Sequence, residues 1–484
     1  MQKIHFIGIC GKGMSAVAKL CKDLGYTISG SDEGFYPPIS TYIEKNNIPF
    51  EKGYRKENIK EDVDVVVISK HAKLIPEENE EVAYAFSLQA EGKLKIKSFP
   101  ELLNQITKDR ENIAVAGSYG KSTCTSLLSW ILEKGGVDVG YFIGASPTTP
   151  NTNAKIGIHK NFILEGDEYP SANWDSKSKF LHYNAHDLLL TSLTHDHVNI
   201  FKTLEDYQAP FFDLIKSLPS DGNLILCLDN KEILEKKEFI KNNTKAKIIT
   251  YSLENSEADY FAKNISFAEK TTFDLYKSNG VVLIEKIETE LLGKHNLQNI
   301  VGVISLILEK NLLSIERIKI GVKSFQAVEG RLNELKNVSK IRIFEGFGSS
   351  YDKARSAIEA INLHFPNKKM IIIFEPHTFS WRNKEAVNWY DNVFAEAEKV
   401  FVYNPPAHGA TTHAQLSQDE IIDRIQNSEK FKLKKENVFK ITEKENGVKN
   451  ILENVDENSI ILILTSGDLG GIIPELLEKI KFLN

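Results

Sequence analysis

Apolar residues fall along the chain in short dense runs that stop at Gly, Ser or a charge. IHFIG at 4–8, VDVVVIS at 63–69, IAVAG at 113–117, DLLLTS at 187–192, MIIIF at 370–374 and SIILILTSG at 459–467 are examples. Runs rich in β-branched residues, with little polar alternation, predict strands covered on both faces. Between many of them the apolar spacing turns helical, as at 15–24 and 351–362. Strand and helix in alternation predict an α/β protein with parallel sheets. Residues 255–292 break the pattern: they alternate apolar and polar positions, as in ISFAEKTTFDLY, and turn at Asn279-Gly280. A β insertion with a hairpin is predicted there.

The 484 residues suit about three domains at roughly 150 residues each. The polar stretch TKDREN closes a first domain, 1–107; the second is 108–325 and contains the insertion; the third is 326–484. Hydrophobic residues at 42% and charged residues at 26% are the balance of a soluble globular chain. A net charge of −6 argues against nucleic acid or a membrane surface as partner. Neither a signal-peptide pattern nor an apolar run of about 18 residues occurs, so no membrane span is predicted. Cys10, Cys21, Cys124 and Cys227 are spaced for neither a zinc site nor a disulfide framework, which predicts reduced thiols and a cytoplasmic location. The sequence carries no reading of oligomeric state.

The sharpest chemical signal is Gly117-Ser118-Tyr119-Gly120-Lys121-Ser122-Thr123, after a strand and before a helix. Glycines let backbone N–H groups turn inward around phosphate oxygens, and the helix N-terminus adds positive potential. Lys121 supplies a charge, and the Ser122 hydroxyl is a Mg²⁺ ligand of the usual kind. The spacing GxxGKS is shorter than GxxxxGKS. A second glycine turn, Gly8 to Ser15, follows the first strand and opens a helix, with Asp32 ending the next strand. It imitates a dinucleotide fingerprint without its GxGxxG spacing.

Acids cluster at the strand end Glu165-Gly166-Asp167-Glu168, and His195-Asp196-His197 follows another strand end. Carboxylate and imidazole at neighbouring strand ends can share Mg²⁺ with nucleotide phosphates. Glu375-Pro376-His377, Arg382 and Asp468 lie at or near strand ends of the third domain, where a doubly wound sheet forms its crevice. His377, Arg382 and Asp468 are the candidates there for an incoming peptide.

Taken together these segments resemble the Mur ligase family over essentially the whole chain. GICGKGMS with Ser31-Asp32 is similar to the family's UDP-binding site, AGSYGKST to its ATP loop, and KHNLQN at 294–299 to the stretch that contacts adenine. The resemblance implies three α/β domains: a Rossmann-like domain for the UDP-sugar, a central P-loop ATPase-like domain and a Rossmann-like domain for the incoming amino acid or peptide. It implies cytoplasmic ATP- and Mg²⁺-dependent ligases joining amino acids or peptides to UDP-N-acetylmuramate.

The resemblance also implies site roles. Gly117, Ser118, Gly120, Lys121, Ser122 and Thr123 hold ATP phosphates, with Lys121 on the transferring group. Ser122 and Glu165 hold one Mg²⁺ and His197 a second. His295, Asn296 and Asn299 seat adenine, and Arg331 reaches the phosphates. Gly11, Lys12, Gly13, Met14 and Ser15 surround the UDP diphosphate, with Ser31, Asp32 and His71 beside it. LEGDEY with KSKFLHY, HDHVNIFKTLEDY, NPPAH at 404–408 and SGDLGGI at 466–472 resemble the members that return a murein tripeptide to UDP-N-acetylmuramate in peptidoglycan recycling. Single-alanine ligases usually carry Ser where Tyr169 stands, and remain the alternative.

The chain departs from the pattern where Gly346 replaces an aspartate and Ser349 a histidine. Ser192 replaces an asparagine upstream of His197. The first two changes leave a non-catalytic homologue as a further alternative. An oxidoreductase would explain only the first glycine loop, and folate ligases lack the extra N-terminal domain.

Overall fold

The computed structural model describes residues 2–37, 39–197, 200–326, 331–335, 340–404, 414–428 and 435–482. Three sheets occur among the described residues. The first contains β1 (Lys3–Ile7), β2 (Thr27–Asp32), β3 (Glu51–Lys52), β4 (Val65–Ile68) and β5 (Lys95–Lys97), in the order β3-β2-β1-β4-β5. All its pairings are parallel.

The second sheet contains β6 (Glu111–Ala116), β7 (Gly140–Phe142), β8 (Ala154–Lys155), β9 (Asn161–Glu165), β10 (Ala185–Leu190), β11 (Asn223–Cys227), β12 (Lys247–Ser252), β13 (Tyr260–Phe267), β14 (Thr271–Lys277) and β15 (Val282–Thr289). Its order is β15-β14-β13-β12-β11-β10-β6-β9-β7-β8. The third contains β16 (Arg331–Leu335), β17 (Arg342–Phe347), β18 (Lys369–Phe374), β19 (Lys399–Tyr403), β20 (Val438–Ile441) and β21 (Ser459–Thr465), in the order β16-β17-β21-β18-β19-β20. Only β16 in this sheet runs antiparallel to its neighbour. The α/β reading with parallel-rich sheets therefore holds.

Alternation along the third sheet shows why β18 and β21 carry unbroken apolar runs, Met370–Phe374 and Ile460–Leu464. Ile371 and Ile373 pack with Ile343, Ile461 and Ile463 on one face. Ile372 and Phe374 pack with Phe344, Leu462 and Leu464 on the other. A strand covered on both sides has no polar face to display.

The insertion forms β13, β14 and β15, with Gly280 at φ 78° in the predicted turn. A further turn divides ISFAEKTTFDLY: the Ala268 N–H donates to the Lys270 carbonyl, so this stretch is two strands.

By internal contacts the chain forms two compact units. One is Met1–Asn264, Phe273–Thr289 and Gln298–Gln326; the other is Ile265–Thr272, Glu290–Leu297 and Ala327–Asn484. The first sheet and all of the second except the adjoining ends of β13 and β14 thus share a unit. No described helix is long and apolar enough to cross a membrane.

In the first sheet, β1 has β2 on one side and β4 on the other. In the second, β6 lies between β10 and β9. The chain reverses its direction of travel across each sheet at these strands, which opens a crevice beyond their C-terminal ends. Both glycine loops leave from those ends.

Candidate functional site

The loop after β6 is shaped by two glycines that no other residue can replace without movement. Gly117 has φ 136°, and a Cβ there would collide with Thr191 and the Ser192 backbone. Gly120 has φ 81°, and a Cβ would stand 2.5 Å from Asn299 Oδ1. The helix Lys121–Lys134 then begins without a side-chain cap. Its first-turn amides and positive dipole end are left for an anion. The Ser192 hydroxyl accepts the Tyr119 N–H at 3.0 Å, so this residue buttresses the loop. Ser118 donates to the Thr194 carbonyl. Ser122 and Thr123 are buried in the first helical turn.

Lys121 donates to the Gly117 carbonyl at 2.7 Å and to Glu168 Oε2 at 3.0 Å. Ser122 donates to Glu165 Oε1 at 2.7 Å, and Glu165 Oε2 accepts the Gly144 N–H at 2.8 Å. Glu165 ends β9, beside β6 in the sheet. Strand pairing therefore brings that carboxylate to the loop. The Ser122 hydroxyl and Glu165 carboxylate are hard oxygen donors, a set that fits Mg²⁺.

His197 differs from expectation. Its Nε2 lies 3.2 Å from Glu168 Oε1, and its Nδ1 lies 2.8 Å from the Tyr169 hydroxyl. A carboxylate accepts only, so Nε2 carries a proton, while Nδ1 is engaged with the Tyr169 hydroxyl. In this arrangement His197 is a partner of Glu168 and has no lone pair free for a metal. Burial pushes the Glu168 carboxyl up, but Lys121 and His197 outweigh it and hold the group below the usual carboxylate range. Burial pulls the Lys121 ammonium down, while Glu168 and Asp167 carry it above its ordinary value.

Lys121, Glu165, Glu168 and His197 line one cavity of about 390 Å³. Among the described residues, the one group of three His and acidic side chains close enough to grip a metal is Glu111, His186 and Asp187. It lies at the starts of β6 and β10 and is already neutralised by Lys310, 2.7 Å from Asp187.

Gly11 and Ser69 also line a second cavity of about 570 Å³, with Asp32, Tyr54 and His71. The helix Lys12–Asp23, which contains Lys12, Gly13, Met14 and Ser15, starts at Gly11 with no side-chain cap. Asp32 accepts the Cys10 N–H at 2.9 Å and the Tyr54 hydroxyl at 3.3 Å. Successive strand residues face opposite ways. Ser31, expected beside UDP, therefore turns its side chain from this cavity and donates to the buried Glu81 at 2.8 Å. The Ser15 hydroxyl likewise serves the Lys12 carbonyl. Cys10 lines the cavity but is no nucleophile: burial, with help from Asp32, pushes its thiol up to about 12.

Comparison with known proteins settles the family. The profile of the Mur ligase middle domain matches residues 115–307, and that of the Mur ligase family, catalytic domain, matches residues 3–111. A UDP-N-acetylmuramate–L-alanine ligase of Dictyoglomus turgidum is 31% identical over 385 residues, 78% of this chain and 76% of that one. The chain belongs to the Mur ligase family. Members of this family are ATP-dependent amide ligases. A UDP-N-acetylmuramate–L-alanyl-γ-D-glutamyl-meso-2,6-diaminoheptandioate ligase of Haemophilus influenzae is 27% identical over 99% of this chain and 100% of its own. The crystal structure of a murein peptide ligase from Psychrobacter arcticus 273-4 shares the fold, with a TM-score of 0.65, 23% identity and full coverage of both chains.

In this Mur ligase the helix Lys294–Glu309 carries the three expected adenine residues. Asn299 lies against Gly120 of the phosphate loop. Asn296 donates to the Leu292 carbonyl at 2.8 Å, and the His295 ring packs against Gly293. Arg331 opens β16 opposite Gly346; its side chain lies outside what is described. So do Val198 and Asn199, residues 328–330 next to Arg331 and residues 405–408 of the NPPAH segment.

At the strand ends of the third sheet, His377 Nδ1 is 3.4 Å from Glu375, which also accepts from Thr465. Arg382 does not stand open for a peptide carboxylate: it is buried and donates to Gln415 at 2.9 Å. Asp468 is exposed, and its Oδ1 accepts the Gly470 N–H at 3.0 Å. The hydroxyls of Ser350 and Ser466, beyond the paired ends of β17 and β21, are buried without a partner among the described residues.

Three side chains beyond the expected set line or brace these cavities. Glu168 is the shared partner of Lys121 and His197; the run of three acids was its only sequence signal. Tyr169 orients His197. Asn173 reaches from the loop after Tyr169 to the His71 and Leu74 carbonyls, at 2.8 and 3.0 Å, beneath the second cavity.

Proposed function

We propose that this Mur ligase uses ATP to activate the carboxylate of UDP-N-acetylmuramate and joins it to a murein tripeptide, in peptidoglycan recycling in the cytoplasm. One observation carries the reading. Lys121, Glu165 and His197 border a single cavity, and that cavity adjoins a second at the uncapped turn Gly11–Met14. A phosphate loop and a second anion-binding helix end thus face one another across a short space, as a reaction between two phosphate-bearing substrates needs.

The chemistry follows from poor leaving-group character. A carboxylate cannot expel oxide, so its oxygen first attacks the γ-phosphorus of ATP and ADP departs. The amine then attacks the carbonyl carbon of the acyl phosphate, phosphate leaves, and the nitrogen loses a proton. Lys121 offers charge to the transferring phosphoryl group once it exchanges Glu168 for phosphate. Ser122 and Glu165 are the residues that would hold Mg²⁺, which supplies charge neutralisation when bound. Glu168 and Tyr169 fix the His197 ring. Asn299 borders the nucleotide loop, and Arg331, His295 and Asn296 complete the nucleotide set by resemblance. His377 and Asp468, with the unpartnered Ser350 and Ser466 hydroxyls, are the proposed peptide contacts.

Tyr169 and the end-to-end match with the Haemophilus enzyme support the tripeptide. The 31% identity with the Dictyoglomus enzyme favours L-alanine as the second reading. The test is direct: supply ATP, Mg²⁺, UDP-N-acetylmuramate and either L-alanine or tripeptide, then identify the product by mass. Product with tripeptide alone is expected. Product with L-alanine alone selects the second reading, and no phosphate release with either marks a non-catalytic homologue.

A further inference from the structure

The cavity around Lys121 contains a second lysine whose task is unassigned. Lys179 lies in the short helical turn Lys179–His182, just after the loop that follows Tyr169. Its ammonium crosses the faces of Phe99 and Tyr169, 5.4 and 5.8 Å from the ring centroids. It ends 2.6 Å from Asp167 Oδ2, with the side chain 16% exposed. The aromatic rings fix its direction, and Asp167 takes one of its three N–H groups. No other acceptor among the described residues takes the remaining two.

Asp167 does not neutralise this corner. Burial and the nearby Lys179 push the Lys70 ammonium down, while Asp167 pulls it up. Two ammonium groups therefore share one carboxylate. Lys70 lines the larger cavity and Lys179 the smaller, and the two cavities meet at Gly11 and Ser69. Two ammonium groups, Lys70 and Lys179, thus stand on either side of the junction of the proposed UDP-sugar and nucleotide sites.

Ligation would bring two anions together there, a carboxylate and the γ-phosphate. Two like charges in a partly buried site repel strongly unless a cation stands between them. Lys121 cannot relieve this alone, because it sits at the phosphate loop and serves the phosphoryl group. Glu165, Asp167 and Glu168 would repel a carboxylate; beside Lys121, the lysine that lines this cavity is Lys179.

We propose that Lys179 receives the carboxylate of the UDP-sugar, so that the site selects a sugar bearing this acid over the same nucleotide sugar without it. The proposal rests on the donor assigned in the preceding section. A lysine that only braced Asp167 would affect both sugars equally.

The test measures two dissociation constants by calorimetry on the full chain, with Mg²⁺ and the β,γ-imido analogue of ATP present. The probes are UDP-N-acetylmuramate and UDP-N-acetylglucosamine, which lacks the carboxylate. The wild type is expected to bind the first at least tenfold more tightly. Lys179→Met should bring the two within about twofold by weakening the first alone. Unchanged binding of UDP-N-acetylglucosamine would show that the variant is folded. A variant that keeps the wild-type ratio, including one that loses both sugars equally, overturns the role of Lys179 and leaves the donor assignment intact. A wild type that binds both equally also overturns it. A wild type that binds neither sugar overturns the donor assignment and this proposal together.

Discussion

The imidazole of His197 is held by Glu168, with Nε2 3.2 Å from Oε1. The same carboxylate, whose side chain has no exposed surface, carries the phosphate-loop lysine 3.0 Å away. Glu168 is therefore the common counter-charge of both groups. In this arrangement Lys121 and His197 are held by one and the same protein carboxylate.

Glu168→Gln tests that arrangement through stability. Removing the charge leaves Lys121 buried without its partner, a loss of about 3 kcal/mol at neutral pH. The sign with pH is fixed by the depressed folded-state value. Above the ordinary carboxylate range the native ion pair contributes in full; as pH falls through and below that range, protonation removes it. The wild type should thus lose its advantage over Glu168→Gln as pH falls from about 5 to about 2, the range between the ordinary carboxylate value and the folded-state value. Denaturant titrations at several pH values check this, and a constant gap would mean that no ionised Glu168 supports the fold. Ligation by the variant should fall together with its stability.

Asn173 makes a different kind of link. Its amide donates to the His71 and Leu74 carbonyls, while Trp174 beside it packs edge-on against Phe86 at 5.7 Å. The loop after Tyr169 thereby clasps the turn that lines the larger cavity. Asn173→Ala removes two hydrogen bonds of about 1 kcal/mol each and should raise KM for the UDP-sugar roughly tenfold. KM for ATP and kcat should change less than twofold. Steady-state kinetics with each substrate varied in turn decides it; an unchanged UDP-sugar KM would show that the turn holds its shape unaided.

Local conformation explains what was legible in the sequence. Gly117 and Gly120 are needed at their own positions, for backbone angles and close approaches that only glycine accepts, so the phosphate loop reads directly. The dense apolar runs of β1, β6, β18 and β21 likewise follow from burial on both faces. Glu168 was not legible, because three acids in one turn look alike until β9 is known to pair with β6. The direction of the Ser31 side chain was not legible, because it neighbours Asp32 in sequence yet faces the opposite side of β2. The turn at 268–270 has no glycine or asparagine to announce it. Arg382 ends in the interior because Gln415, 33 residues away, supplies its partner.

The departure at Gly346 can be judged from the space around it. A Cβ there would stand 3.2 Å from Ala357 Cβ and 3.3 Å from Leu464 Cδ2, with Leu332 Cδ1 at 3.8 Å. These neighbours are apolar and buried, and they close the face of β17 that a side chain at this position would enter. Restoring the aspartate expected from family resemblance therefore places a carboxylate into a filled apolar space. Gly346→Asp should lower stability by about 3 kcal/mol and should not raise the rate of ligation. Thermal unfolding with parallel measurement of phosphate release tests both parts. An unchanged melting temperature with a faster rate would mean that the space opens readily and that glycine alone limits this ligase. The expected result, lower stability without gain, would mean that Ala357, Leu464 and Leu332 are matched to glycine, so that recovery of the aspartate requires them to change as well.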